Sequence, residues 1–153
     1  MAHGRVTEQM PASCEDVFAL LHDYPRRLTW DTLLSAAYLE GGAIQAGKGV
    51  VSVCVGRRSL GRIALRTEYV TFEPPKVAAV KMLNQPPFFG TWAASIRHEP
   101  DGRGGSSVTY TYNFTARPRC LRFVLEPLMA LIFRWETQKR LGALRRHLSL
   151  RAG

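Results

Sequence analysis

The sequence predicts a single α+β domain, in which an antiparallel sheet of consecutive strands is followed by a long C-terminal helix. Between Leu34 and Ala116, six segments carry strand signals and are separated by turn-forming residues. After Cys120 the pattern becomes helical and carries no further glycine-rich turn. The length of 153 residues suits one domain, since a chain of this size buries roughly two thirds of its unfolded surface.

Each element has a local cause. Gly4 to Met10 reads as a strand, and Pro11-Ala12 ends it. Ser13-Cys-Glu-Asp16 has the form of a capping box, after which Val17, Phe18, Leu20 and Leu21 follow at helical spacing to about His22 or Asp23. Tyr24-Pro25 interrupts this helix, and Arg26 to Asp31 forms a second short turn. Strands are expected near Leu34 to Glu40, Gly49 to Arg57, Arg62 to Phe72, Val77 to Leu83, Thr91 to Glu99 and Val108 to Ala116. Gly41-Gly42, the stretch Gly56 to Gly61, Pro74-Pro75, Pro86-Pro87 and Asp101-Gly-Arg-Gly-Gly105 separate them, so an antiparallel meander is expected. The final helix spans Cys120 to Leu150. Pro127 lies near its beginning and fits either a first helical position or a kink, so a break or bend is expected there.

The totals narrow the function. Hydrophobic residues at 46% and charged residues at 22% describe a globular chain rather than a fibrous or disordered one. The opening residues lack the apolar stretch of a secretory signal, and the apolar run Pro127 to Phe133 is far short of the ~20 residues that span a bilayer. Cys14, Cys54 and Cys120 are an odd, widely spaced set without a CxxC pair, which predicts reduced, mostly buried thiols and a cytoplasmic location. His3, His22, His98 and His147 show no ligand spacing, and neither a metal nor a cofactor is expected. Of the net charge of +9, the segment Arg117 to Arg151 carries +7, with nine basic residues against two acidic ones. A solvated helix face is the simplest account; weak contact with an anionic membrane is the secondary one, and nucleic acid is not the expected partner.

Several local signatures occur in this order. The stretch Met10-Pro-Ala-Ser-Cys-Glu-Asp-Val-Phe-Ala-Leu-Leu-His-Asp23, followed by Trp30-Asp31, resembles the opening of START-like proteins of the SRPBCC superfamily. Phe72-Glu-Pro-Pro-Lys76 looks like the turn after their fourth strand. Gly90-Thr-Trp92, Gly105-Ser-Ser-Val-Thr-Tyr110 and the closing helix after Phe114 are similar to the polyketide cyclase/dehydrase and coenzyme Q-binding branches. The resemblance implies the helix-grip fold of the birch pollen allergen, in which a curved sheet is closed by the long helix over a cavity. It names a pocket rather than a reaction. The CxH and CxxH pairs of the iron-sulfur oxygenase relatives do not occur.

Candidate site residues follow from strand parity. Val108 to Thr115 alternates cleanly, with Val108, Tyr110, Tyr112 and Phe114 on one face and threonines and Asn113 on the other; the ring face is expected inward. Trp92, Ala94 and Ile96 form the matching face of the preceding strand, where the small Ala94 leaves room for a guest. His98 continues that face. Arg66 and Glu68 share one face of the strand Arg62 to Phe72 and Leu65 and Tyr69 the other, but Val70 and Phe72 join the charged side, so the inward face stays open. Phe88 and Phe89, beside Pro86-Pro87, are lid candidates at a cavity mouth. Trp30 is read as an anchor for the short helices. Leu128, Leu131, Ile132 and Trp135 lie on a helix that is apolar almost all round from Leu128 to Trp135; deep burial is the simplest reading, a dimer contact or membrane-facing surface being the others.

Small residues among the strand positions, including Ala36, Ser52, Cys54, Ala79, Ala93 and Ala94, leave a predicted cavity of roughly 300–1,000 Å³ between sheet and helix. The expected function is binding of an apolar small molecule there, a lipid, quinone or polyketide-like compound, with the rings above and the helix residues as its walls. One alternative is an aromatase/cyclase acting on a polyketide-like chain, with His98, Tyr110 or Tyr112 moving protons, although no carboxylate or nucleophile is spaced to partner His98. The other is a peripheral anionic-membrane or nucleic-acid binder using the basic helix.

Overall fold

The computed structural model describes residues 2–152. The elements are β1 (Ala2–Met10), α1 (Cys14–Leu21), β2 (Leu34–Leu39), β3 (Val51–Gly56), β4 (Ala64–Glu73), β5 (Val77–Met82), β6 (Phe89–Pro100), β7 (Ser106–Ala116) and α2 (Arg122–Ala152). The strands form one curved antiparallel sheet in the order β1-β7-β6-β5-β4-β3-β2, so β2 to β7 are a meander and the first strand closes against the last. The helix-grip expectation is therefore met, with the strands within two residues of their expected bounds.

The local causes hold where they were expected. The Ser13 hydroxyl accepts the Asp16 amide at 3.2 Å, and Glu15 and Asp16 sit in the first turn, where the helix dipole favours them. Pro25 opens the 3-10 turn Tyr24–Thr29, its fixed φ suiting a position that needs no amide donor. On β7, Val108, Tyr110, Tyr112, Phe114 and Ala116 are all buried. Their side chains meet Val6 and Met10 of β1, Trp92 and Ile96 of β6, and Val17, Leu20 and Leu21 of α1. Gly4 stands opposite Tyr112 in the β1/β7 register, and a Cβ there would lie 2.5 Å from Tyr112 Cζ. Only a residue without a side chain lets that ring lie down.

The open question of β4 is settled by a register shift against β5 between Tyr69 and Thr71. Before it, Thr67 and Tyr69 are buried, while Arg66 is exposed and bonds Glu40 at 2.6 Å. After it, Phe72 packs against Phe18 on the inner side. One extra residue reverses the alternation, so Phe72 turns inward although it shares parity with the charged residues, while Val70, at the bulge, stays exposed with them.

Two expectations for the C-terminal helix are corrected. It runs through Pro127 without a break, and the irregular stretch is the preceding 3-10 turn Arg119–Leu121. Pro127 lies in the second turn, so a single helical bond is lost near an end where fraying is cheap. Deep burial applies only to the C-terminal half, where Leu141, Leu144 and Leu148 pack into the core. The earlier half is exposed on its outer side: Phe123 is 78%, Leu131 68% and Trp135 58% accessible. No helix of the described residues is long and apolar enough to cross a membrane.

Candidate functional site

Between the sheet and the first half of α2 lies a cavity of about 460 Å³. Its walls come from every side of the grip. β6 and β7 give Trp92, Ile96 and Tyr110; β3, β4 and β5 give Cys54, Leu65, Thr67 and Val80; α2 closes it with Leu128, Met129, Ile132 and Phe133. Phe88 and Phe89 also line it, but they differ in kind. Phe88 is exposed with φ at +72°, a left-handed conformation that costs a bulky residue energy, whereas Phe89 is buried with its ring 5.7 Å from that of Phe133.

One part of the wall is polar. Arg27, from the 3-10 turn after α1, donates through Nε to Asp31 Oδ2 at 2.9 Å and through Nη1 to the Leu21 carbonyl at 3.0 Å. Arg140 of α2 donates to the same Oδ2 through Nε at 3.2 Å and Nη2 at 3.0 Å. Leu33 donates its amide to Oδ1, so the buried carboxylate is fully engaged. Burial works against ionising Asp31, but Arg140 and Arg27 outweigh it and hold the carboxyl below its ordinary range. Arg27 also lies over the rings of Trp30 and Tyr24, at 5.2 and 5.5 Å from their centroids.

Beside this cluster, the Tyr69 hydroxyl is 2.7 Å from His22 Nδ1 and 2.8 Å from the Tyr24 hydroxyl. All three residues line the cavity. Burial, helped by the positive charge of Arg27, holds the His22 pKa well below its usual value, and burial raises Tyr69 well above the usual phenol range. The chain is thus neutral at pH 7. Ser52 and Thr67 satisfy each other at 2.8 Å, and Glu136 is held by Arg57 in a two-pronged pair at 2.8 and 3.1 Å. Among the described residues no group of three His, Cys, Asp or Glu side chains could hold a metal ion.

Set against the sequence candidates, Trp92, Ile96, Tyr110, Phe88, Phe89, Leu128 and Ile132 line the cavity. Tyr112 and Phe114 face inward but stop at Phe133, whose ring is 5.6 and 5.2 Å from theirs and stands on the cavity wall in their place. Ala94 is buried in the same core and is not part of the wall. Leu131 and Trp135 are exposed and off the cavity wall, Leu131 being rotated around α2 from Ile132 and Trp135 lying two turns beyond Leu128 on nearly the same face. His98 is also off the wall: it is buried against Phe18 at 5.2 Å, neither ring nitrogen has a hydrogen-bond partner among the described residues, and burial lowers its pKa to about 4. The three proposed proton carriers do not converge.

Cys120 is exposed, Cys54 half-buried and Cys14 buried, so the thiols are less sheltered than expected. The polar wall was missed, although Arg27 and Asp31, four residues apart in a stretch that also holds Tyr24 and Trp30, were its visible trace.

The fold and this walled cavity define a START-like, helix-grip protein. Among solved structures, the Zhui aromatase/cyclase from a Streptomyces species superposes with a TM-score of 0.84 at 14% identity, covering 99% of this chain and 95% of that one. A START superfamily protein from Mycobacterium smegmatis gives 0.81 at 10% identity over 98% and 99%, and a Thermus thermophilus protein gives 0.82 at 14% over 99% of both chains. Such identities speak for the fold alone. Comparison with curated proteins yields no match. A family model matches residues 1–149, and the chain belongs to that family, described as polyketide cyclase/dehydrase and lipid transport.

Proposed function

We propose that this protein binds an apolar small molecule, lipid-, quinone- or polyketide-like, in the cavity between the sheet and α2. The observation that carries this reading is a void of about 460 Å³ walled mainly by rings and aliphatic chains, with Phe88, Leu128 and Ile132 both lining it and exposed to solvent. Those three residues mark its mouth. Burying a guest's apolar surface there contributes about 25 cal/mol per Å² before the ordering costs of binding are subtracted. Titration with a fluorescent fatty-acyl probe, together with native mass spectrometry of co-purifying molecules, tests it. Substituting Val80→Trp or Leu65→Trp, each a half-buried wall position, should abolish probe uptake while circular dichroism stays unchanged; folded variants that still take up the probe would overturn the cavity assignment.

An aromatase/cyclase reading draws its support from the His22–Tyr69–Tyr24 chain rather than from His98 or Tyr112. Two neutral hydroxyls and a neutral imidazole would relay a proton within a folded polyketide-like chain rather than abstract one as an ionised base.

Weak contact with an anionic membrane belongs to the same proposal. The mouth residues adjoin the exposed Leu131 and Trp135, and Arg134 and Lys139 lie on the same helix, the Lys139 Nζ 4.2 Å from the Trp135 ring centroid. The unpaired thiols support a reducing, cytoplasmic setting for it.

A further inference from the structure

We propose that the polar wall of the cavity is an anion-recognition site, so that the guest is amphipathic, with a carboxylate or an ionised phenol or enol held by Arg27 and Arg140 and an apolar body along the ring-lined wall. The inference rests on the cavity-binding reading above and names the chemistry of its ligand.

Charge is the first argument. Around this wall Arg27, Arg57 and Arg140 stand against Asp31 and Glu136, and each carboxylate is already committed: Asp31 to both Arg27 and Arg140, Glu136 to Arg57. Two guanidinium groups therefore share one carboxylate at a place where both line the void. A net positive charge withdrawn from water is costly unless something negative meets it, and the attraction grows as the dielectric falls.

Hydrogen-bond inventory is the second, and it is independent of charge. The Asp31 carboxylate accepts four bonds, which accounts for its acceptor sites. Arg27 bonds through Nε and Nη1 and Arg140 through Nε and Nη2, so Arg27 Nη2 and Arg140 Nη1 have no hydrogen-bond partner among the described residues, although a guanidinium offers five donors and no acceptor. Both side chains line the void, and the complement of two guanidinium groups with donors to spare is an oxyanion.

The test uses the purified full chain and two probes that differ only in the head: 11-(dansylamino)undecanoic acid and its methyl ester, titrated by fluorescence at pH 7.5. The expected result is binding of the acid at least about tenfold tighter than the ester, in line with hydrogen bonds to a charged group. Arg140→Gln should reduce that preference to about twofold or less, and Arg140→Lys should restore part of it. Equal binding of acid and ester by the unmodified protein would overturn the anion site while leaving the cavity reading intact; failure of both probes would remove the cavity reading and this inference with it. Acid binding that survives in Val80→Trp would place the acid on the basic surface and also overturn the assignment. Competition by dodecanoate and by a 4-dodecyl-2-nitrophenol, whose nitro group brings phenol ionisation down from about pH 10 to near the assay pH, then separates a carboxylate head from a phenolate one.

Discussion

Arg140 and Asp31 are 109 residues apart in sequence, yet two nitrogens of the one donate to a single oxygen of the other at 3.0 and 3.2 Å. This contact ties α2 to the segment after α1, across the cavity from the sheet. Removing the carboxylate would leave the buried guanidinium of Arg27 and the part-buried one of Arg140 without their shared counter-charge. Asp31→Asn is expected to destabilise the fold by about 3–5 kcal/mol, the cost typical of breaking a buried ion pair on one side. Urea unfolding measures it, and a loss below about 1 kcal/mol would show that water compensates the two arginines.

Stability should fall as the pH drops from 6.5 toward 4, because two buried imidazoles resist protonation. His98 has a folded pKa of about 4 because burial disfavours its charged form. Its folded value lies below its unfolded value of about 6.5, so the unfolded chain binds the proton first, and the contribution present above pH 6.5 is lost as pH falls toward 4. The shift corresponds to roughly 3 kcal/mol. His22 acts in the same direction. Asp31, whose pKa is also lowered, withdraws its contribution only at more acidic pH, below its unfolded value of about 3.9. His98→Phe should flatten the dependence between pH 6.5 and 4; an unchanged slope in denaturation curves across that range would place its origin elsewhere.

Gly4 and Tyr112 offer a test of the packing that keeps Tyr112 off the cavity wall. Gly4→Val forces a side chain into the space of a ring that is 1% exposed, and overpacking of this kind costs about 1–3 kcal/mol. Tyr112→Leu should relieve much of that penalty in the double variant, giving a coupling energy of at least about 0.5 kcal/mol. Strict additivity would mean that the two side chains do not compete for space.

The outer face of α2 predicts a second behaviour. Leu131→Glu with Trp135→Glu should weaken sedimentation with phosphatidylserine-containing vesicles without changing probe uptake by the cavity, because both residues lie off its wall. In the unmodified protein, raising salt from about 50 to 200 mM should strongly reduce vesicle binding, since the Debye length is ~8–10 Å near physiological ionic strength. Vesicle binding that the double variant leaves intact would assign the contact to the cationic residues alone.

The elements themselves were legible in the sequence because their causes are local. Strand alternation at Val108 to Thr115, the Ser13 cap and the glycine and proline turns act over a few residues, and the inward face of β7 followed from parity alone. The side of β4 that turns inward was not legible, since a one-residue bulge near Val70 reverses parity and is stabilised by pairing with β5. Nor could parity separate Tyr110, on the cavity wall, from Tyr112, which Phe133 screens; that depends on where α2 lays its own rings. The burial of α2 also divides halfway along: its second half sinks Leu141, Leu144 and Leu148 into the core, whereas in its first half Phe133 meets β7 while Phe123, Leu131 and Trp135 stay exposed. Most of all, the tertiary structure decided the polar wall. Arg27, Asp31, Tyr69 and Arg140 come from three separate regions of the chain, and a charge becomes worth pairing only once folding has taken it out of water.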